Sequence, residues 1–210
     1  MTDAPRPALT DAPARKALGQ HFLFDPSILH RAATAAGPVK DRVVIEVGPG
    51  PGGLTRALLD EGAGTVIAVE TDPRFAEALT LWPEAKDGRL IVIQKDARKV
   101  NFEKLVEQAG ATQPAMVIAN LPYNVGTPLL VGWLKAGDWR GEMALMFQKE
   151  VAERICAAPG TDHYGRLAVL AQSATRPHIA FTLPPGAFTP PPKVDSAVAV
   201  LEPLPADQRF

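Results

Sequence analysis

Apolar and polar positions follow no regular period before Asp25 and a clear one after it. Asp25-Pro26 joins a helix-capping side chain to a first-turn proline, and Gly37 closes the segment, so the spacing predicts a helix over 26–36. Strands and helices then alternate. Val43–Val47 is a short apolar run with a single acid, ended by the glycines of 48–53, and Leu54–Glu61 reads as a helix stopped by Gly62. Thr65–Val69 is a second strand, followed by a helix that starts at Asp72-Pro73 and runs to about Leu81. Leu90–Gln94 and Ala115–Ala119 are the third and fourth strands, with a helix at Phe102–Gln108 between them. Thr127-Pro128 opens another helix, Glu142–Phe147 is a fifth strand, and Glu150–Ala157 and Arg166–Ala174 are helical. Two late apolar runs, Ile179–Leu183 and Ala197–Leu201, flank a proline-dense loop at 184–192.

Strands alternating with helices at this spacing specify an α/β fold, a parallel sheet covered by helices on both faces. Ligands of such sheets bind outside the carboxyl ends of the strands, so residues that follow strands are the ones to inspect. A chain of 210 residues can bury one sizeable core, and one domain over 15–210 is expected, preceded by a flexible arm at 1–14 where periodicity is lacking and prolines are frequent. No apolar run is long enough to span a membrane, and the N-terminus has no signal-like apolar segment. Cys156 is the sole cysteine, which rules out an internal disulfide and a thiolate metal site and fits a reducing, cytoplasmic setting. The four histidines are scattered without ligand spacing, so no metal is implied. The net charge of −1 counts against a protein that grips nucleic acid through its phosphates.

Three strand ends carry candidate chemistry. Glu46-Val47-Gly48-Pro49-Gly50-Pro51-Gly52-Gly53 lies between the first strand of the alternating series and its helix, where glycines let the backbone pass close to a ligand. Glu70 ends the next strand, well placed to accept the two hydroxyls of a ribose. Gly48, Gly50 and Gly53 also satisfy the G-x-G-x-x-G dinucleotide pattern, with an acid at the expected distance, so the loop alone leaves a nicotinamide enzyme open. Glu46 ahead of the glycines, and prolines at 49 and 51, favour the E-x-G-x-G-x-G form used for S-adenosylmethionine. Asp96, preceded by Lys95 and followed by Ala97, is placed to receive the adenine amine of such a cofactor.

Asn120-Leu121-Pro122-Tyr123, directly after the fourth strand, selects the chemistry. An adenine N6 amine is a poor nucleophile because its lone pair is delocalised into the ring. Acceptors aimed at its two N–H bonds localise that pair: the Asn120 side-chain oxygen, and a backbone carbonyl that Pro122 helps to fix. Tyr123 offers a face on which an extruded base can stack.

On these residues the chain resembles the ribosomal RNA adenine N6,N6-dimethyltransferase family. The likeness begins at Lys16-Ala17-Leu18-Gly19-Gln20-His21-Phe22-Leu23 and runs through the Glu46 loop, Glu70, Asp96-Ala97 and Asn120–Tyr123. It continues through Phe147-Gln148-Lys149-Glu150-Val151-Ala152 and Tyr164-Gly165-Arg166-Leu167 to Phe188-Thr189-Pro190-Pro191-Pro192-Lys193-Val194-Asp195-Ser196. The resemblance implies a Rossmann-like class I methyltransferase with a seven-stranded, mainly parallel sheet. It also implies S-adenosylmethionine as cofactor, with contacts at His21, Leu23, Glu46, Gly48, Gly50, Glu70, Asp96, Ala97 and Asn120. His21 stands where the family more often has Asn. Phe188 matches the aromatic that flanks the target base opposite Tyr123. The implied substrate is a pair of adjacent adenines in a hairpin near the 3′ end of small-subunit rRNA, presented on an immature 30S particle to a monomeric enzyme. Full-length relatives continue into a small basic helical domain, whereas this sequence stops at Phe210, so that domain is expected to be absent; its absence accounts for the missing positive charge. A nicotinamide oxidoreductase would leave Asn120–Tyr123 unexplained, and a non-enzymatic ribosome-assembly factor is the remaining alternative.

Overall fold

A computed structural model describes residues 20–209. The expected arm at 1–14 and the Lys16–Gly19 part of the first motif lie outside the described residues. The elements are β1 (Phe22–Leu23), α1 (Pro26–Ala33), β2 (Val43–Val47), α2 (Gly53–Asp60), β3 (Thr65–Glu70), α3 (Pro73–Thr80) and α4 (Pro83–Lys86). They continue with β4 (Leu90–Gln94), α5 (Phe102–Gln108), β5 (Ala115–Asn120), α6 (Gly126–Leu134), β6 (Arg140–Gln148), α7 (Lys149–Cys156) and α8 (Arg166–Ala174). The last are β7 (Thr175–Leu183), β8 (Phe188–Thr189) and β9 (Ser196–Pro203).

Seven strands form one sheet in the order β4-β3-β2-β5-β6-β9-β7. The pairs from β4 to β6 are parallel, while β9 runs antiparallel to both β6 and β7. The sheet is thus mainly parallel, as the alternation predicts, and the two late apolar runs are its antiparallel exception. Because β9 runs backwards, its first residue, Ser196, pairs with Gln148 at the carboxyl end of β6.

Period-two alternation divides each strand between two cores. Val44, Val66, Ile118, Met146 and Val198 face α1, α2 and α3, whereas Ile45, Ile67, Val117, Leu145 and Ala199 face α5 to α8. Burial on both faces explains why these strands read as nearly continuous apolar runs. Helix starts follow the local chemistry. The Asp25 carboxylate accepts hydrogen bonds from the amides of Ser27 and Ile28 ahead of Pro26, and Asp72 does the same for Arg74 ahead of Pro73.

Some boundaries differ from expectation, and one sheet was not expected. The first helix ends at Ala33 rather than 36, because Thr34–Gly37 form a turn that closes with Gly37 at φ +109°. Both β6 and β7 start earlier than their apolar runs, at Arg140 and Thr175. Pro177 is tolerated in β7 because that strand is the sheet's edge. A second, two-stranded sheet pairs β1 with β8, Leu23 opposite Phe188, and seats the entry segment over the glycine loop. Among the described residues, no helix is long and apolar enough to cross a membrane.

Candidate active site

A cleft of about 420 Å³ opens at the carboxyl ends of β2, β3, β4 and β5, roofed by the β1 segment. Its size suits a nucleoside-sized ligand. His21, Leu23, Glu46, Gly48, Gly50, Glu70, Asp96, Ala97 and the whole Asn120–Tyr123 run line it. Phe188 does not. Its ring is only 3% exposed and packs into the core beside Leu23, its partner in the β1–β8 pair. In this arrangement the ring packs beneath the β1–β8 pair.

The glycine loop is built from within. Gly48, Gly50 and Gly52 have φ values of +71°, +53° and +93°, a region that side chains penalise. A Cβ on Gly50 would lie 2.8 Å from the Phe22 ring, and one on Gly52 would lie 2.7 Å from the Trp82 ring. Space and backbone angle thus demand glycine together. The amide of Gly48 donates to the Val69 carbonyl, that of Gly52 to Pro49, and that of Gly50 to Glu70 Oε2 at 3.0 Å.

Glu70 is 4% exposed, and its other oxygen accepts the Asp72 amide at 2.8 Å, so one carboxylate ties the loop after β2 to the loop after β3. Burial pushes its pKa above the ordinary carboxylate range, against the pull of the Asp72 and Gly50 amides. Each carboxylate oxygen keeps further lone-pair capacity for a sugar hydroxyl. Behind it Glu46, 1% exposed, accepts the Thr55 hydroxyl at 2.6 Å. Desolvation raises the Glu46 pKa to about 8, opposed by the Thr55 hydrogen bond and reinforced by the nearby Glu70 charge. Asp96 caps the turn after β4 and is gripped by a two-pronged Arg98 guanidinium, which holds its pKa down to about 2.

This chemistry separates the two readings that the glycine pattern leaves open. A pyrophosphate needs free loop amides, yet those of Gly48, Gly50 and Gly52 are bonded internally. At the floor the Glu70 carboxyl instead offers acceptor oxygens to the hydroxyls of a ribose. The residues present therefore fit S-adenosylmethionine.

The opposite wall is joined over long sequence distances. The Asn120 side-chain nitrogen donates to the His21 carbonyl at 3.0 Å, which turns the amide oxygen to the other side. The His21 ring lies 5.3 Å from the Tyr123 ring at an interplanar angle of 29°, and its Nδ1 sits 2.8 Å from the Pro190 carbonyl. Tyr123 Oη lies 2.6 Å from Ser196 Oγ. The Pro122 carbonyl accepts the amides of Val125 and Gly126 as α6 begins.

A model of the family described as ribosomal RNA adenine dimethylase matches residues 12–209. The chain belongs to the ribosomal RNA adenine dimethylase family. Within it, the chain is 54% identical over 202 residues to a "Ribosomal RNA small subunit methyltransferase A" of Mesorhizobium japonicum, a match covering 92% of this chain and 72% of the relative. A protein of the same name from Maricaulis maris is 51% identical, with 95% and 68% covered. Among solved structures, a dimethyladenosine transferase from Plasmodium falciparum superposes with a TM-score of 0.74 at 32% identity. That match covers 88% of this chain and 64% of the other, so the chain spans somewhat less than two thirds of that structure's length. The 23S rRNA methyltransferase ErmE gives a TM-score of 0.72 at 28% identity, over 87% of this chain and 70% of that one. The fold is that of the class I methyltransferases, as the family implies.

Sequence reasoning missed the joints of the dimethylase site. Thr55 under Glu46 has no local signal, and nothing in the spacing sets Pro190 against His21. Ser196 lies inside a motif that the resemblance covers, but nothing in the spacing ties it to Tyr123.

Proposed function

We propose that this chain transfers methyl groups from S-adenosylmethionine to the N6 amines of two adjacent adenines in a hairpin near the 3′ end of small-subunit rRNA, twice per base. It acts as a cytoplasmic monomer on an immature 30S particle. The observation that carries the reading is the orientation of Asn120: its nitrogen is turned to the His21 carbonyl, which leaves its oxygen free to accept from an incoming amine.

When bound, S-adenosylmethionine supplies a methyl group activated by a sulfonium. Glu70 accepts its ribose hydroxyls, Asp96 accepts its adenine amine, and the loop from Glu46 to Gly50 with the His21–Leu23 segment encloses the rest. On the substrate side, the Asn120 oxygen accepts one N6 hydrogen. The second acceptor falls to the Leu121 carbonyl, because that of Pro122 is consumed by the Val125 and Gly126 amides. Together they draw the lone pair out of the ring toward the methyl donor, and Tyr123 holds the base by stacking. The exposed lone pair would then be the nucleophile for the methyl that the bound cofactor supplies. The methylated amine, cationic for a moment, releases its proton to water, so positioning rather than a general base carries the rate.

Incubation of the chain with methyl-tritiated S-adenosylmethionine and immature small subunits, followed by nucleoside analysis, tests this. Label is expected in N6,N6-dimethyladenosine and lost with Asn120→Ala; label in another nucleoside would overturn the assignment.

A further inference from the structure

We propose that Ser196 is a positioning residue for the base platform: its hydroxyl fixes the tip of the Tyr123 ring and thereby sets where the target adenine stacks. The inference rests on the adenine-methylation reading above.

Three observations lead to it. First, β9 is the strand that runs against β6, which carries its first residue to the edge where the parallel strands end and the cleft opens. Second, the Ser196 side chain is 0% exposed and its Oγ has the Tyr123 hydroxyl at 2.6 Å, so the bond is shielded from water. Losing either partner leaves a polar atom without its mate in a dry place. Third, the Tyr123 ring is flanked by His21, whose Nδ1 is placed against Pro190 in the same run that delivers Ser196. The ring is thus held at its tip by β9 and beside its face by the entry segment.

A phenylalanine at 123 would present the same π surface without the tether. If stacking area were all that mattered, the hydroxyl and its buried serine would be dispensable.

The test is steady-state methylation of immature small subunits by Ser196→Ala, Tyr123→Phe and the double variant, alongside calorimetric titration of S-adenosylmethionine. Each single change should lower kcat about tenfold, because the base still stacks but no longer sits in line with the methyl donor. RNA KM should stay within about threefold, and cofactor Kd within about twofold, since Tyr123 and Ser196 do not hold the cofactor. The double variant should be no slower than the slower single, as expected when both changes break one interaction. A kcat within about twofold of wild type for the single variants, or losses that multiply in the double, would overturn the proposal. Should Ser196→Ala fail to fold, Tyr123→Phe breaks the same bond from the half-buried side and decides alone by the same criterion. Asn120→Ala in the same assay separates the two levels. Its activity would sink the adenine-amine reading, whereas an inactive Asn120→Ala beside near-normal Ser196→Ala and Tyr123→Phe would sink only the role of Ser196.

Discussion

The cofactor wall and the substrate wall of the cleft are made by opposite means. On the cofactor wall, contacts join residues close in sequence: Glu70 to Asp72 two positions on, Asp96 to Arg98 likewise, Glu46 to Thr55, and Glu70 to Gly50. On the substrate wall, the joints cross most of the chain: Asn120 to His21, Tyr123 to Ser196, and His21 to Pro190. The first kind lies within one strand–loop–helix unit or between two neighbouring ones. The second kind exists only once β1, β5 and β9 have been brought to one edge, so damage there should affect chemistry while leaving the cofactor pocket standing.

The largest expected effect falls on the substrate wall. Asn120→Ala removes the acceptor that localises the N6 lone pair, and turnover should fall about a hundredfold or more, measured as labelled methyl transferred per minute. Near-normal turnover would show that the acceptor lies elsewhere. On the cofactor wall, Glu70→Ala removes both the ribose acceptor and the tie between two loops. Affinity for S-adenosylmethionine should weaken by on the order of 1.5–3 kcal/mol in calorimetry. Unchanged affinity would detach Glu70 from the cofactor. Next comes Gly50→Ala, which forces a side chain into a left-handed backbone and against the Phe22 ring. A loss of roughly 1–2 kcal/mol in denaturant-measured stability is expected from the backbone alone.

A further effect is a pH dependence. Glu46 keeps its proton to about pH 8 in the folded chain against an ordinary value of 4.5. Between those values the unfolded chain has released a proton that the folded chain still holds. The contribution of Glu46 is therefore full below the lower value and is lost as pH climbs toward the upper one. Glu46→Gln lacks this loss, so its melting temperature should gain on that of the wild type from pH 5 to pH 8. A gap that stays constant with pH would mean that Glu46 is ionised in the fold.

The same contrast explains what could be read from the residues beforehand. Alternating apolar runs located all seven strands of the main sheet, and the Glu46 loop, Glu70 and Asp96 announced themselves by following strands. Asn120–Tyr123 was visible as a motif, but its orientation was not, because the atom that turns Asn120 is a carbonyl 99 residues away. The two-residue strands β1 and β8 have no period to detect, and with them went the burial of Phe188. Strand starts at Arg140 and Thr175 escaped notice because both are buried polar residues, satisfied by the carbonyls of Trp133 and Ala171, and so add nothing to the apolar runs.

Calorimetric titration of S-adenosylmethionine into the wild type, Glu70→Ala and Tyr123→Ala, with NAD as a parallel ligand, tests this division of the cleft most directly. The account predicts binding to the wild type, binding within about threefold of it for Tyr123→Ala, a clear loss for Glu70→Ala, and none of these chains taking up NAD. Tighter binding of NAD than of S-adenosylmethionine, or a loss in Tyr123→Ala equal to that in Glu70→Ala, would contradict it.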